Sequence, residues 1–186
     1  MMVMVEVNNL YTCLGQSLKF PHNDIMPQVN ECIDILEKEQ YPKEILKELR
    51  SFKNDVERLT LEELQELYSY TFEFTSETTL DMGWYSHEGF KRAQNLLTIK
   101  SMYRDQGFPF DDVAKGELPD NLAVILFFIG HLKNEELKRN FVKTYVIMSL
   151  EKLNRNFQTK KNAYRHLINA VYRVLDKDIK DIKEVS

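Results

Sequence analysis

Apolar side chains return every three or four residues along most of this chain, the spacing that lines up one face of an α-helix. Leu10, Leu14 and Leu18 share a face before Phe20-Pro21 interrupts it. Val29, Cys32, Ile33 and Leu36 mark a second helix, ended near Tyr41-Pro42, and Ile45, Leu46, Leu49, Phe52 and Val56 a third. Thr60-Leu61-Glu62-Glu63 has the form of a capping box, in which the Thr60 hydroxyl takes one free N–H and Glu63 reaches back for another. It opens a helix carrying Leu64, Leu67, Tyr68, Thr71 and Phe72. Periodicity weakens from Thr75 to Tyr85, a loop or broken helix, and Ser86 is placed to cap a helix running through Tyr103.

Beyond Gly107-Phe108-Pro109, Asp111 to Gly116 reads as a polar loop. Glu117-Leu118-Pro119-Asp120-Asn121-Leu122 then leads into the apolar run Ala123 to Ile129. Pro119 suits a first helical position, where its missing N–H costs nothing, and Asp120 would then face the positive end of the helix dipole. Asn134-Glu135-Glu136 begins a further helix, with Phe141, Tyr145, Met148 and Leu153 as core positions, and a last helix covers roughly Lys161 to Leu175. No segment alternates apolar and polar residues over a useful length, and neither a repeat nor a low-complexity linker appears. The pattern predicts an all-α, single-domain helical bundle of about eight to ten helices over residues 1–175. The charged tail, 176–186, is expected to fray.

Composition narrows the class. A chain of 186 residues, 43% hydrophobic and 29% charged, is globular and large enough to bury a core. Six Gly and five Pro leave few turn formers, which favours long elements and short connections. The longest apolar run, Leu122 to Gly130, is far below the roughly 20 residues that span a bilayer, so no stable membrane insertion is expected. The start, Met1 to Glu6, lacks a basic leader, and two cysteines do not make a disulfide scaffold. A soluble protein in a reducing, cytoplasmic setting is expected.

Charge is unevenly divided. Residues 1–90 hold 7 Lys/Arg against 17 Asp/Glu, whereas residues 91–186 hold 18 against 12. An acidic half favours a cationic partner. The basic residues are spread over several helices without a recognition motif, so no nucleic acid is expected.

Signatures of catalysis are missing. His22, His87, His131 and His166 are scattered, and His87-Glu88 has no second histidine at the helical spacing of a metalloprotease. Cys13 and Cys32 are too far apart in the sequence for a short metal clamp or a redox pair, and no glycine loop is present to cradle phosphate. Glu62, Glu63 and Glu66 lie in or near a first helical turn, where they stabilise the dipole. Neither an enzyme, a metal nor a cofactor is expected.

Two segments together resemble the cytoplasmic chaperones that mature molybdenum-containing redox enzymes: the nitrate reductase delta-subunit chaperones and their trimethylamine N-oxide and dimethyl sulfoxide reductase counterparts. The first is Leu64-Gln65-Glu66-Leu67-Tyr68-Ser69-Tyr70-Thr71-Phe72-Glu73, followed by Thr78-Thr79-Leu80; the second is Glu117 to Leu122, with Leu126-Phe127 after it. Arg92-Ala93, Tyr103 and Gly107 fall between them in the family's order, and the likeness is clearest over about residues 60–132. Asn121 departs from the pattern, since several family members carry histidine there; asparagine hydrogen-bonds but does not titrate.

The resemblance implies binding: such chaperones hold the N-terminal segment, often a twin-arginine signal peptide, of a molybdoenzyme catalytic subunit while it folds and receives its cofactor. It implies a peptide groove near Tyr68, Phe72, Leu80, Trp84 and Tyr85, with Asp120 and Asn121 at its edge. Glu73, Glu77 and Asp81 would serve a cationic flank, and Glu117, Pro119, Leu122 and Phe127 carry the motif. The protein would act as a monomer or dimer. Two alternatives stand beside this reading: a general helical interaction or regulatory module, and a small-molecule or nucleotide-binding enzyme on a helical scaffold.

Overall fold

The computed structural model describes residues 9–181 and is all-α, with no strand among the described residues. The expectations for a leader at Met1–Glu6 and for the tail over 182–186 lie outside those residues. In chain order the helices are α1 (Leu10–Ser17), α2 (Met26–Lys38), α3 (Lys43–Val56), α4 (Leu61–Tyr68), α5 (Gly89–Asp105), α6 (Phe110–Ala114), α7 (Leu122–His131), α8 (Glu135–Phe141), α9 (Ile147–Phe157) and α10 (Tyr164–Asp181). A π turn, Ser69–Glu73, prolongs α4, and a second, Val142–Val146, joins α8 to α9. Two short 3₁₀ turns, Ser76–Thr78 and Met82–Tyr85, occupy the segment of weak periodicity.

The core forms around α7, in which every residue from Leu122 to Ile129 is buried. A helix apolar on all sides must be enclosed. α1 packs on it closely enough that a Cβ on Gly15 would lie 3.0 Å from the Ala123 carbonyl oxygen. α2 and α3 continue from α1, α10 packs on α3, and α9 on α10. The α4 capping box forms as its residues require: the Glu63 N–H donates to Thr60 Oγ1 at 3.2 Å, and the Thr60 N–H donates to Glu63 Oε2 at 2.8 Å.

Several boundaries differ from expectation. α7 starts at Leu122, not at Pro119, because Asn121 is its N-cap and accepts from the Ala123 N–H at 3.0 Å. Pro119 and Asp120 lie in the preceding turn, outside the first turn of α7. Ser86 does not cap α5, which begins at Gly89 after Glu88; its hydroxyl pairs with that of Ser149. Phe110–Ala114 form a short helix that takes in Asp111 to Ala114 of the segment read as a loop.

Met148, expected in the core, is 68% exposed. A π turn carries one residue more than an α turn, so the buried face passes from Phe141 and Val142 to Val146, Ser149 and Leu150, and Met148 is rotated out. Residues 176–181, expected to fray, belong to α10, where Asp178 accepts hydrogen bonds from the Tyr11 hydroxyl at 2.5 Å and from Tyr41 at 2.9 Å.

Candidate functional site

Four aromatics at every second position, Tyr68, Tyr70, Phe72 and Phe74, are sorted to opposite sides by α4 and its π turn. Tyr68 and Phe72 point inward and are buried; their rings lie 5.0 Å apart, and both meet Tyr164 edge-on. The Tyr68 hydroxyl donates to the Leu18 carbonyl at 3.1 Å. Tyr70 and Phe74 point outward, 71% and 78% exposed. Thr71 holds the turn: its hydroxyl donates to the Leu67 carbonyl at 2.5 Å and accepts from Asn162 Nδ2 at 2.7 Å. The turn closes with the Phe74 N–H on the Ser69 carbonyl at 3.0 Å.

The two resembling segments meet in space. Asp81 and Asn121 form an isolated antiparallel bridge, in which the Met82 N–H donates to the Asp120 carbonyl at 2.9 Å and the Leu122 N–H to the Leu80 carbonyl at 2.8 Å. The residues on either side of this bridge turn different ways. Asp120, 2% exposed, accepts from the Gly83 N–H at 2.9 Å and lies 3.7 Å from the Arg92 guanidinium. Asp81 is 3.6 Å from the same guanidinium, which also lies over the Trp84 ring at 5.8 Å. Asn121 instead donates to Glu117 Oε2 at 3.2 Å. The turn between them is fixed by the Tyr103 hydroxyl, which donates to the Pro119 carbonyl at 2.6 Å.

Two carboxylates thus share one arginine in a poorly hydrated place. Burial and the neighbouring Asp120 carboxylate push the Asp81 carboxyl up to about 6, against the pull of Arg92. Burial also raises Asp120, opposed by the Gly83 N–H and Arg92. Burial lowers the Lys19 ammonium, which donates to the Val113 carbonyl at 3.1 Å and lies over the Phe127 ring at 4.7 Å.

A cleft of about 380 Å³ opens between the 18–25 connection and the 114–121 turn, walled by Lys19, Phe20, His22, Tyr68, Glu117 and Asn121. Phe20 also borders a shallower apolar shelf of about 700 Å³, formed with Leu67, Tyr70 and Phe74 and edged by Glu63 and Glu66. The cleft and the shelf therefore adjoin at Phe20, whose ring meets Tyr68 at 5.4 Å.

Of the residues singled out from the sequence, Tyr68, Glu117 and Asn121 line the cleft, while Phe72, Leu80, Leu122 and Phe127 are buried in the core. Trp84 is half exposed and Tyr85 half buried, its hydroxyl on the Thr79 carbonyl at 2.8 Å; both lie across the bridge with Asp81, Asp120 and Arg92. Glu73 is exposed beside Phe74, whereas Glu77 pairs with Lys160 at 3.0 Å. The structure adds Phe20, Tyr70, Phe74 and Arg92. Tyr70 and Phe74 were legible once Leu64, Tyr68, Thr71 and Phe72 defined the inner face, because aromatics two positions away from it fall on the outer one.

Among the described residues, no group of three or more His, Cys, Asp or Glu side chains is placed to hold a metal, and no helix is long and apolar enough to cross a membrane.

Comparison with known proteins gives this geometry a family. No curated protein matches the chain. Among solved structures, a crystal structure described as that of a redox enzyme maturation protein from Archaeoglobus fulgidus shares the fold, with a TM-score of 0.57 over 94% of this chain and 98% of that one, at 18% identity. The model of the nitrate reductase delta subunit family matches residues 38–168, a span that holds α3 to α9, the Asp81–Asn121 bridge and both resembling segments. The chain belongs to the nitrate reductase delta subunit family, whose members are maturation chaperones of redox enzymes and not catalysts.

Proposed function

We propose that the chain is a cytoplasmic chaperone that holds the N-terminal segment of a molybdenum-containing oxidoreductase catalytic subunit, often a twin-arginine signal, during folding and cofactor insertion. Family membership supports the chaperone role. The observation that carries the peptide reading is the adjoining cleft and shelf, which expose Tyr70 and Phe74 beside Glu63, Glu66 and Glu117. Contiguous exposed aromatics on a chain of this size mark an interaction surface, and a peptide with an apolar face can lie in such a groove. Carboxylates at the rim accept bidentate hydrogen bonds from arginine and would orient the cationic flank.

On this reading the buried pair Tyr68 and Phe72 shapes the floor and wall, and Tyr70 and Phe74 make the aromatic contact. Asp120, Asp81 and Arg92 hold the turn that presents Asn121 and Glu117. Trp84 and Tyr85 lie across the bridge and line neither the cleft nor the shelf. Calorimetric titration of the folded protein with N-terminal peptides of candidate molybdoenzyme subunits tests the proposal. Saturable binding by one peptide, weakened by replacing its arginines with glutamine, is expected; no binding by any of them would overturn it.

A further inference from the structure

Cys13 and Cys32 do not line the cleft, and although their separation in the sequence argues against a redox pair, they lie side by side where α1 packs on α2. Cys13 is on α1 and Cys32 on α2, and neither is exposed. The Cys32 thiol donates to Cys13 Sγ at 2.7 Å, the Cys13 thiol donates to the Gln28 carbonyl at 3.0 Å, and Ser17 Oγ is 3.9 Å from Cys32 Sγ. Between them the chain leaves α1, runs through the 18–25 connection and returns along α2, supplying Lys19, Phe20, His22 and Gln28 to the cleft wall. A covalent tie between the two sulfurs would therefore close a loop around that wall.

We propose that Cys13 and Cys32 are an oxidisable pair, a modification site at which a hydroperoxide closes an intramolecular disulfide joining α1 to α2. One thiol loses its proton and attacks the peroxide oxygen; the O–O bond breaks, the sulfur becomes a sulfenic acid and the leaving oxygen departs as water or an alcohol. The second thiol then attacks the sulfenic sulfur, the S–S bond forms and a water leaves. Two thiols are oxidised by two electrons in all, and one peroxide is reduced. Burial and the neighbouring Cys13 push the Cys32 thiol well up, so the reaction is slow beside that of an exposed thiolate. Closing the loop restricts the open states of the chain and steadies the wall bearing Lys19 and Phe20. The disulfide itself is independent of the peptide reading; only its consequence for a bound peptide rests on that reading.

The test is made on the folded, full-length chain. After treatment with hydrogen peroxide and quenching, the protein is denatured, alkylated and weighed by mass spectrometry. The expected product has lost two hydrogens, takes up no alkyl group on either cysteine, yields a Cys13–Cys32 linked peptide and reverts with dithiothreitol. Its Tm is shifted upward and tryptic cleavage after Lys19 is slowed, and neither change occurs in Cys13→Ser or Cys32→Ala. Two alkylatable cysteines after surface methionines have been oxidised would overturn the proposal, as would a disulfide found only between chains. An intramolecular disulfide with unchanged Tm and cleavage after Lys19 would overturn its effect on the wall. Absence of peptide binding in both redox forms would count against the peptide reading and leave the disulfide standing.

Discussion

Asp120 ties three segments together through one carboxylate, which receives the Gly83 N–H and faces Arg92 of α5 from the turn before α7. Removing it leaves the Gly83 N–H without its acceptor and Arg92 with Asp81 as its one carboxylate partner, and leaving a buried donor unpaired costs about 1–3 kcal/mol. Asp120→Ala is therefore expected to lower stability by about that amount in urea unfolding. Gly83 is constrained by the same contact, because a Cβ there would collide with Asp120 Oδ2 and crowd the Arg92 side chain. Gly83→Ala should cost roughly 1–3 kcal/mol by the same measurement.

Asp81 carries a pH dependence. Its carboxyl titrates near 6 in the folded protein and near 3.8 in the unfolded chain, so the folded state takes up the proton first as pH falls. The penalty for its charge is full above about pH 6 and is relieved between 6 and 4. Asp81→Asn should thus raise stability at pH 7 by roughly 1–3 kcal/mol, change it little at pH 4, and flatten the slope between. The motif containing Asp120 was visible in the sequence, but the duty of Asp120 was not. Its partners, Gly83 and Arg92, lie 37 and 28 positions earlier in the chain, and no local rule links them.

At the scale of elements, the two π turns decide which side chains meet solvent. Leu150 is buried and Met148 exposed because the Val142–Val146 turn shifts the face by one residue. Leu150→Ala is expected to cost about 2–5 kcal/mol, and Met148→Ala to stay within about 0.5 kcal/mol of wild type. A chevron or equilibrium melt of the two variants checks this register. Helices α1 to α4 were legible because their apolar faces keep a regular period and Thr60 and Glu63 cap as their chemistry dictates. A π turn breaks that period without any proline or glycine to announce it, which is why Met148 was misplaced. The charged end of α10 was hidden for a different reason. Asp178 is held by Tyr11 and Tyr41, whose positions only the folded chain brings near.

For the molecule as a whole, the helices packed around α7 leave a cleft and an aromatic shelf that adjoin at Phe20. On the proposed reading, the aromatic pair that α4 and its π turn bury fixes the floor, and the pair they expose makes the peptide contact. Tyr70→Ser with Phe74→Ser removes two exposed side chains, so stability should change little while peptide affinity falls by about tenfold or more, as expected for losing aromatic anchors. The most direct test of the central claim is hydrogen exchange of the protein with and without a molybdoenzyme N-terminal peptide that binds. Protection concentrated in residues 18–25 and 67–74 is the result this account predicts. Protection confined to α5 or α10, with those two segments unchanged, would contradict it.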